Sequence, residues 1–184
     1  MTVQRATKLT PWLLSRKIIC AAYLPAPFND AERVIFLGLH AMTVVKVIAR
    51  HLRMGYMLKD VERRGNGYRT DLILVSPSGA RRVSEVKSAK EIKEVHRIQA
   101  ALYANAEVDE IAVSNRNNDE VLDPRFVQDI LKRAQLTRQL FTQDPSAAAS
   151  TYTPHRDICG MCANVACPFL TRQNASAPQM RPRC

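Results

Sequence analysis

Apolar and polar positions along this chain follow two different periods, and the switches between them mark its elements. Residues 8–28 read as a short helix running into a loop broken at Leu24-Pro25-Ala26-Pro27. Asn29 or Asp30 can cap the next helix, and Glu32 falls in its first turn, where the helix dipole favours an acid. That helix reaches about Arg53 and is apolar over most of its surface, which predicts burial. Met54 to Glu62 then takes up the alternation of a strand. Arg63-Arg64-Gly65-Asn66-Gly67 supplies two glycines to a hairpin turn. Tyr68 to Ser76 forms a second strand around Leu72-Ile73-Leu74-Val75, and Pro77-Ser78-Gly79 turns the chain into a third, Arg81 to Lys87. A helix is predicted from about Lys90 to Ala106, a short strand from Glu110 to Asn115, and a turn at Asn117-Asn118-Asp119. Pro124 opens a long helix to about Gln143. Asp144 to Pro154 is rich in Ala, Ser, Thr and Pro and reads as a linker, and Gln173 to Cys184 as a mobile tail. Helix, three antiparallel strands, helix, strand, helix is the order of an α/β fold: a small mixed sheet flanked by helices.

At 184 residues the chain is long enough for one domain, residues 1–184, with its core over about 29–143. It carries 27 Lys and Arg against 17 Asp and Glu, a net +10, which favours phosphate backbones or anionic lipid surfaces as partners. With 46% hydrophobic and 24% charged residues it is globular in composition, which excludes a collagen-like or low-complexity chain. The longest apolar stretch, Val34 to Ala49, is interrupted by His40 and Lys46, and spanning a bilayer needs about 20 apolar residues. Arg16-Lys17 could begin a short signal peptide, but Trp12-Leu13-Leu14 precede the charges and Pro25 and Pro27 break the apolar run. A cytoplasmic location and no membrane partner are therefore expected.

The sharpest chemical signal lies on the second and third strands. Glu85 and Lys87 are two apart, so they share a face, and Asp71 lies one hairpin upstream. Two carboxylates offer the hard oxygen ligands that Mg²⁺ or Mn²⁺ takes. A lysine beside them can orient or deprotonate a water, or stabilise developing phosphate charge. This is the equipment of metal-assisted phosphodiester hydrolysis; a solvated acidic strand face is the plain alternative. On the following helix, Gln99 falls inside the apolar stripe of Ile92, Val95, Ile98 and Leu102, with Tyr103 one turn on. A buried amide needs partners, which Glu85 and Lys87 or a backbone carbonyl could provide. His40 lies among Phe36, Leu37, Val44 and Val47, as a core histidine or as a further metal ligand, since neutral imidazole suits Mn²⁺. Arg63-Arg64, Arg81-Arg82, Lys87, Lys90, Lys93 and Arg97 could form a phosphate track, and Tyr56, Tyr68 and Tyr103 could stack bases.

Of five cysteines, three crowd together as Cys159-Gly-Met-Cys162 and Cys167. In a reducing compartment this spacing points to metal or redox chemistry. Three thiolates on one loop need a fourth for either a 4Fe–4S cluster or zinc. His155 stands near enough to be an auxiliary ligand.

Taken in order, His40, Asp71, Glu85-Val-Lys87 and Gln99-Ala-Ala-Leu-Tyr103 resemble the RecB-like branch of the PD-(D/E)xK nuclease superfamily, the last matching its Gln-x-x-x-Tyr motif. With cysteines split between the two ends, the chain resembles specifically the CRISPR-associated RecB-like exonucleases, over roughly residues 15–170. The resemblance implies a restriction-endonuclease-like core. It assigns metal ligation to His40, Asp71, Glu85 and the backbone carbonyl of Val86, catalysis to Lys87, and DNA binding or site ordering to Gln99 and Tyr103. It implies a structural iron–sulfur cluster, 4Fe–4S favoured over zinc, on Cys20, Cys159, Cys162 and Cys167. That region would join residues about 15–25 to about 155–170, with Cys184 the rival fourth ligand. The implied activity is 5′-to-3′ digestion of single-stranded DNA with Mn²⁺ or Mg²⁺, with the CRISPR integrase complex as a partner. Thr70 departs from the family's proline before the aspartate. A non-catalytic iron–sulfur or zinc DNA-binding adaptor, and a redox sensor whose cluster gates DNA binding, are the competing readings.

Overall fold

The computed structural model describes residues 9–27, 29–62, 70–104 and 107–169. The hairpin turn at Arg63–Gly67, Tyr68, Ala106 and the tail with Cys184 lie outside the described residues.

Helix starts follow their local chemistry. Pro11 opens α1 (Pro11–Ile19), whose N-cap Thr10 accepts from the Leu13 N–H. Helix α2 (Asp30–Arg53) begins with a capping box: Asn29 accepts from the Glu32 N–H, and Glu32 accepts from the Asn29 N–H. Three strands follow, β1 (Met57–Val61), β2 (Leu72–Val75) and β3 (Arg81–Lys87). Gly79, at φ +89°, makes the tight turn between β2 and β3. Then come α3 (Glu94–Ala101), β4 (Glu110–Asn115), β5 (Asp119–Val121) and α4 (Pro124–Gln143), the last capped by Asp123. Helix α5 (Pro145–Ser150) lies where a linker was expected, because Asp144 caps it and Pro145 pre-sets its first turn. The one-turn α6 (Arg156–Cys159) follows. Strand β5 is not foreseen from the pattern; its first residue, Asp119, falls in what reads as a turn.

The strands form one mixed sheet in the order β1-β2-β3-β4-β5, antiparallel except for the β3–β4 pair. That architecture, a mixed sheet flanked by helices, is the one expected from the pattern. Strand parity divides its two faces. Ile73, Val83, Ile111 and Val113 meet α1, α3 and α4 in the larger core. Leu72, Leu74 and Val86 meet α2 through Val44 and Val47.

The expected burial of α2 is overturned. Only Thr43, Val44, Val47 and His51 are buried, while Val34, Ile35, Phe36, Leu37 and Leu39 are exposed. The reason is length. At 24 residues α2 runs about 36 Å, whereas seven residues of β3 span roughly 23 Å, so the helix overhangs its sheet. By length and composition alone it could cross a membrane. In the fold its C-terminal half is seated on the sheet, and Arg50 donates to the Asn115 and Asn118 carbonyls at 3.1 and 3.0 Å.

Beneath that half lies a buried polar network. Arg82 donates to Asp119 at 2.9 Å and to Glu110 at 2.7 Å, Ser114 donates to Asp119, and His51 Nε2 stands 3.3 Å from the same carboxylate. Burial by itself pushes the Asp119 pKa up. The His51 and Ser114 contacts, with the Arg82 charge, outweigh burial and hold it below the ordinary aspartate range. A depressed pKa stabilises the fold above the unfolded value of about 3.9, and that stability is lost as pH falls through the folded value. Asp119→Asn should therefore cost about 2–3 kcal/mol at neutral pH and flatten the acid limb of stability against pH, as read by urea unfolding.

Candidate functional site

Residue Asp71 immediately precedes β2, and Leu72 pairs with Ser84, so Asp71 falls opposite Glu85. One Asp71 oxygen accepts the Val86 N–H at 2.7 Å; the other lies 3.4 Å from His40 Nε2. The site therefore lies where β2 begins and β3 ends. His40 reaches it from the α2 side, while Glu85 and Lys87 point to the α3 side with Val83. Hydrogen bonding to Asp71 raises the His40 pKa above the ordinary histidine value, against the pull of burial.

The Glu85 carboxylate is buried, and burial, reinforced by the Asp71 charge, pushes its pKa up while Lys87 pulls it down. Its Oε1 receives Lys87 Nζ and, at 2.7 Å, Gln99 Nε2. Gln99 Oε1 accepts from Lys87 at 3.0 Å, so acid, base and amide close a three-membered ring. Gln99 also reaches the Tyr103 hydroxyl at 3.4 Å. Burial, then the Glu85 charge, pushes the Tyr103 pKa up, so the phenol stays protonated. Glu85 Oε2 is buried with no hydrogen-bond partner.

Expected residues His40, Asp71, Glu85, Val86, Lys87, Gln99 and Tyr103 thus converge. Among the described residues, however, no group of three or more His, Cys, Asp or Glu side chains is arranged to hold one metal ion. Glu85 Oε1 is engaged by Lys87 and Gln99. Base stacking by Tyr103 is overturned, because the ring is 5% exposed beneath α3. The basic track also shrinks. Arg82 is buried in the Asp119 network, Arg81 pairs with Glu107, and Arg97 grips Glu120 with two nitrogens at 2.6 and 2.9 Å. Tyr56 packs on His51 and under Arg82.

The cysteines form a separate lobe. Cys20, Cys159, Cys162 and Cys167 all line one small cavity, with Tyr23, Tyr152, Ile158 and Asn164 among its other walls. Backbone pairing sews the ends of the chain together around it. Ala22 N–H donates to Thr151 O at 2.9 Å, Ala163 N–H to Leu24 O at 2.8 Å, and Asn164 Nδ2 to Ala22 O at 2.7 Å. Thr153 N–H points at Cys20 Sγ (3.3 Å) and His155 N–H at Cys159 Sγ (3.1 Å). The His155 ring turns instead to Glu94, at 3.2 Å, and does not line the cavity. Sequence reading missed Asp157, whose carboxylate accepts the first N–H of α3 at 3.0 Å and ties the lobe to the helix bearing Gln99. It also missed His96, on the same helix, whose pKa burial pushes down to about 3.

No family model and no curated protein matches the chain. Among solved structures, a protein of unknown function from Silicibacter pomeroyi aligns over 58% of this chain and 92% of that one, at 17% identity and a TM-score of 0.27. So loose a superposition carries no argument.

The His40–Asp71 contact makes a direct prediction. In metal-free protein, NMR titration should find His40 above the ordinary value of about 6.5, and Asp71→Asn should bring it down.

Proposed function

We propose that this chain is a divalent-metal-dependent DNA nuclease with a structural iron–sulfur cluster. The observation that carries the reading is the convergence of His40, Asp71 and a buried Glu85 whose Oε2 has no hydrogen-bond partner. A carboxylate is buried in this way at the cost of its hydration, and an uncommitted oxygen there suits a cation. Carboxylate oxygens are donors that both Mg²⁺ and Mn²⁺ take, and an imidazole nitrogen beside them favours Mn²⁺.

His40, Asp71, Glu85 and the Val86 carbonyl would hold the ion, which when bound supplies Lewis-acid activation of water and phosphate. The chain's own groups do the rest. The Val86 N–H fixes the rotamer of Asp71. Gln99 holds Lys87 and Glu85 in register. Lys87 is placed to offset charge on a phosphodiester and to orient the attacking water. Tyr103 backs Gln99 from below and stays out of the substrate's reach.

The four cysteines support a cluster over a zinc ion. Zinc draws four sulfurs to about 2.3 Å from one point, whereas a cluster gives each thiolate its own iron and keeps the sulfurs apart. The four line one cavity, and the preference for a cluster rests on their split spacing, one Cys-x-x-Cys pair with two lone cysteines. Phosphodiester hydrolysis needs no electron, so the role proposed for the cluster is structural. Single-stranded DNA as substrate, 5′-to-3′ polarity, a cytoplasmic location and a place in CRISPR spacer acquisition belong to the same proposal. They rest on the resemblance of the motifs to RecB-like exonucleases, with the net +10 charge in support of DNA.

The test is digestion of end-labelled single-stranded DNA. Cleavage should require Mn²⁺ or Mg²⁺, stop with EDTA, and fall at least about a thousandfold in Glu85→Gln and Lys87→Met. Intact DNA from folded, cluster-loaded protein would instead favour the adaptor reading. For the lobe, purified protein should be brown, with iron and sulfide in equal amounts. Cys162→Ala should lose colour and thermal stability together. A colourless, zinc-loaded protein of full stability would sink the cluster.

A further inference from the structure

The outer face of α2 carries a second seam. Ile35, Gly38, Met42, Val45, Ala49 and Leu52 recur at alternating spacings of three and four, the heptad spacing of a helix–helix contact. All six are exposed; Ile35, Met42 and Val45 are 63%, 55% and 65% so. The inner seam of His40, Val44, Val47 and His51 faces the opposite way and is already used by the sheet and the site. Among the described residues the outer one stays exposed, and a Cβ built on Gly38 would meet no atom within 4 Å.

We infer that this seam binds the same seam of a second copy, as an antiparallel pair of α2 helices about a two-fold axis. The observation behind it is self-complementarity. In an antiparallel register centred between residues 43 and 44, Ile35 meets Leu52, Gly38 meets Ala49, and Met42 meets Val45 of the other copy. Large residues face large and small face small, so the backbones approach at two places and the bulky side chains interdigitate between them. The charges agree. The acidic first turn, Asp30 and Glu32, comes beside Arg53 in the last turn of its mate, and the two helix dipoles run opposed. A parallel pair would set like ends together. Each contact occurs twice, as a closed two-fold dimer requires. His40 lies on the opposite side of the helix, so pairing leaves the candidate metal centre open. The inference does not rest on the nuclease reading.

Sedimentation velocity on the full-length, cluster-loaded protein tests it. Wild type should be dimeric at tens of micromolar. Met42→Glu and Val45→Lys should each be monomeric, their dimers weakened roughly a hundredfold by a buried unpaired charge. Both positions are exposed in the fold, so circular dichroism should match wild type. Mixing the two variants should restore a dimer, because Glu at 42 of one then faces Lys at 45 of the other. A monomeric wild type at about 100 μM, a dimer that either variant leaves intact, or variants that stay monomeric when mixed would each overturn the pairing.

Discussion

A carboxylate buried at position 85 is the constraint from which most of the structure follows. Taking a charge out of water costs several kcal/mol unless partners replace the hydration. Glu85 recovers part of that cost from Lys87, two residues on, which strand geometry puts on the same face. It recovers more from Gln99, which can reach it only if α3 lies flat on β3. That packing is made by Val95 and Ile98 against Val83 and Val113. It is also held at the helix start, where Asp157 accepts the Glu94 N–H. Asp157 belongs to the cysteine lobe, and the lobe is held by strand-like contacts between residues 22–26 and 151–163. Hydrogen bonds therefore link residues 22–26 and 151–163, through Asp157 and α3, to the carboxylate.

The other face of the sheet solves a different problem. Arg82, Ser84 and Ser114 make it polar, so a purely apolar helix could not seat there without stranding them. Helix α2 answers with Arg50 and His51 in its last turns, and Asp119 gathers Arg82, Ser114 and His51 around one carboxylate. The apolar contact is small, limited to Val44 and Val47 on Leu72, Leu74 and Val86. Much of what fixes α2 in register, and therefore fixes His40 beside Asp71, is polar and directional. A network of that kind specifies position well and tolerates little change.

The site was legible because its parts obey local rules. Glu85 and Lys87 are related by strand period, Gln99 and Tyr103 by helix period, and a polar residue in an apolar stripe announces a buried partner. The convergence of Cys20 with cysteines about 140 residues away was legible only through resemblance, since no local period connects them. Failures came where tertiary fit overrode pattern. Helix α2 looked buried because its composition is apolar, but composition says nothing of whether the sheet is long enough to cover it. Arg82 and Arg97 looked like a surface track because charge runs usually are solvated; their acids, Asp119 and Glu120, arrive from a strand too short to stand out. Tyr103 looked like a stacking platform, yet the same helix period that places Gln99 inward carries Tyr103 inward too.

Buried cations on α1 give a last reason to connect the two sites. Lys17 is only 8% exposed, donates to the Ala21 carbonyl at 2.7 Å and lies 4.8 Å from the Phe141 ring. A neutral carbonyl and an aromatic face do not replace the hydration of an ammonium, and burial pulls its pKa down. The opposing, raising influence comes from negative charge at Cys20 and Cys162. Arg16, next in line, is seated on Trp12; burial pulls its pKa down as well, against the opposing influence of Tyr23 and Glu85. Neighbouring residues on one helix thus face the cysteine cavity and Glu85, one each. A cysteine lobe that held neutral thiols would leave Lys17 without a counter-charge. A lobe of four thiolates around a cluster would provide one, and the same helix would then be clamped electrostatically between the cluster and Glu85.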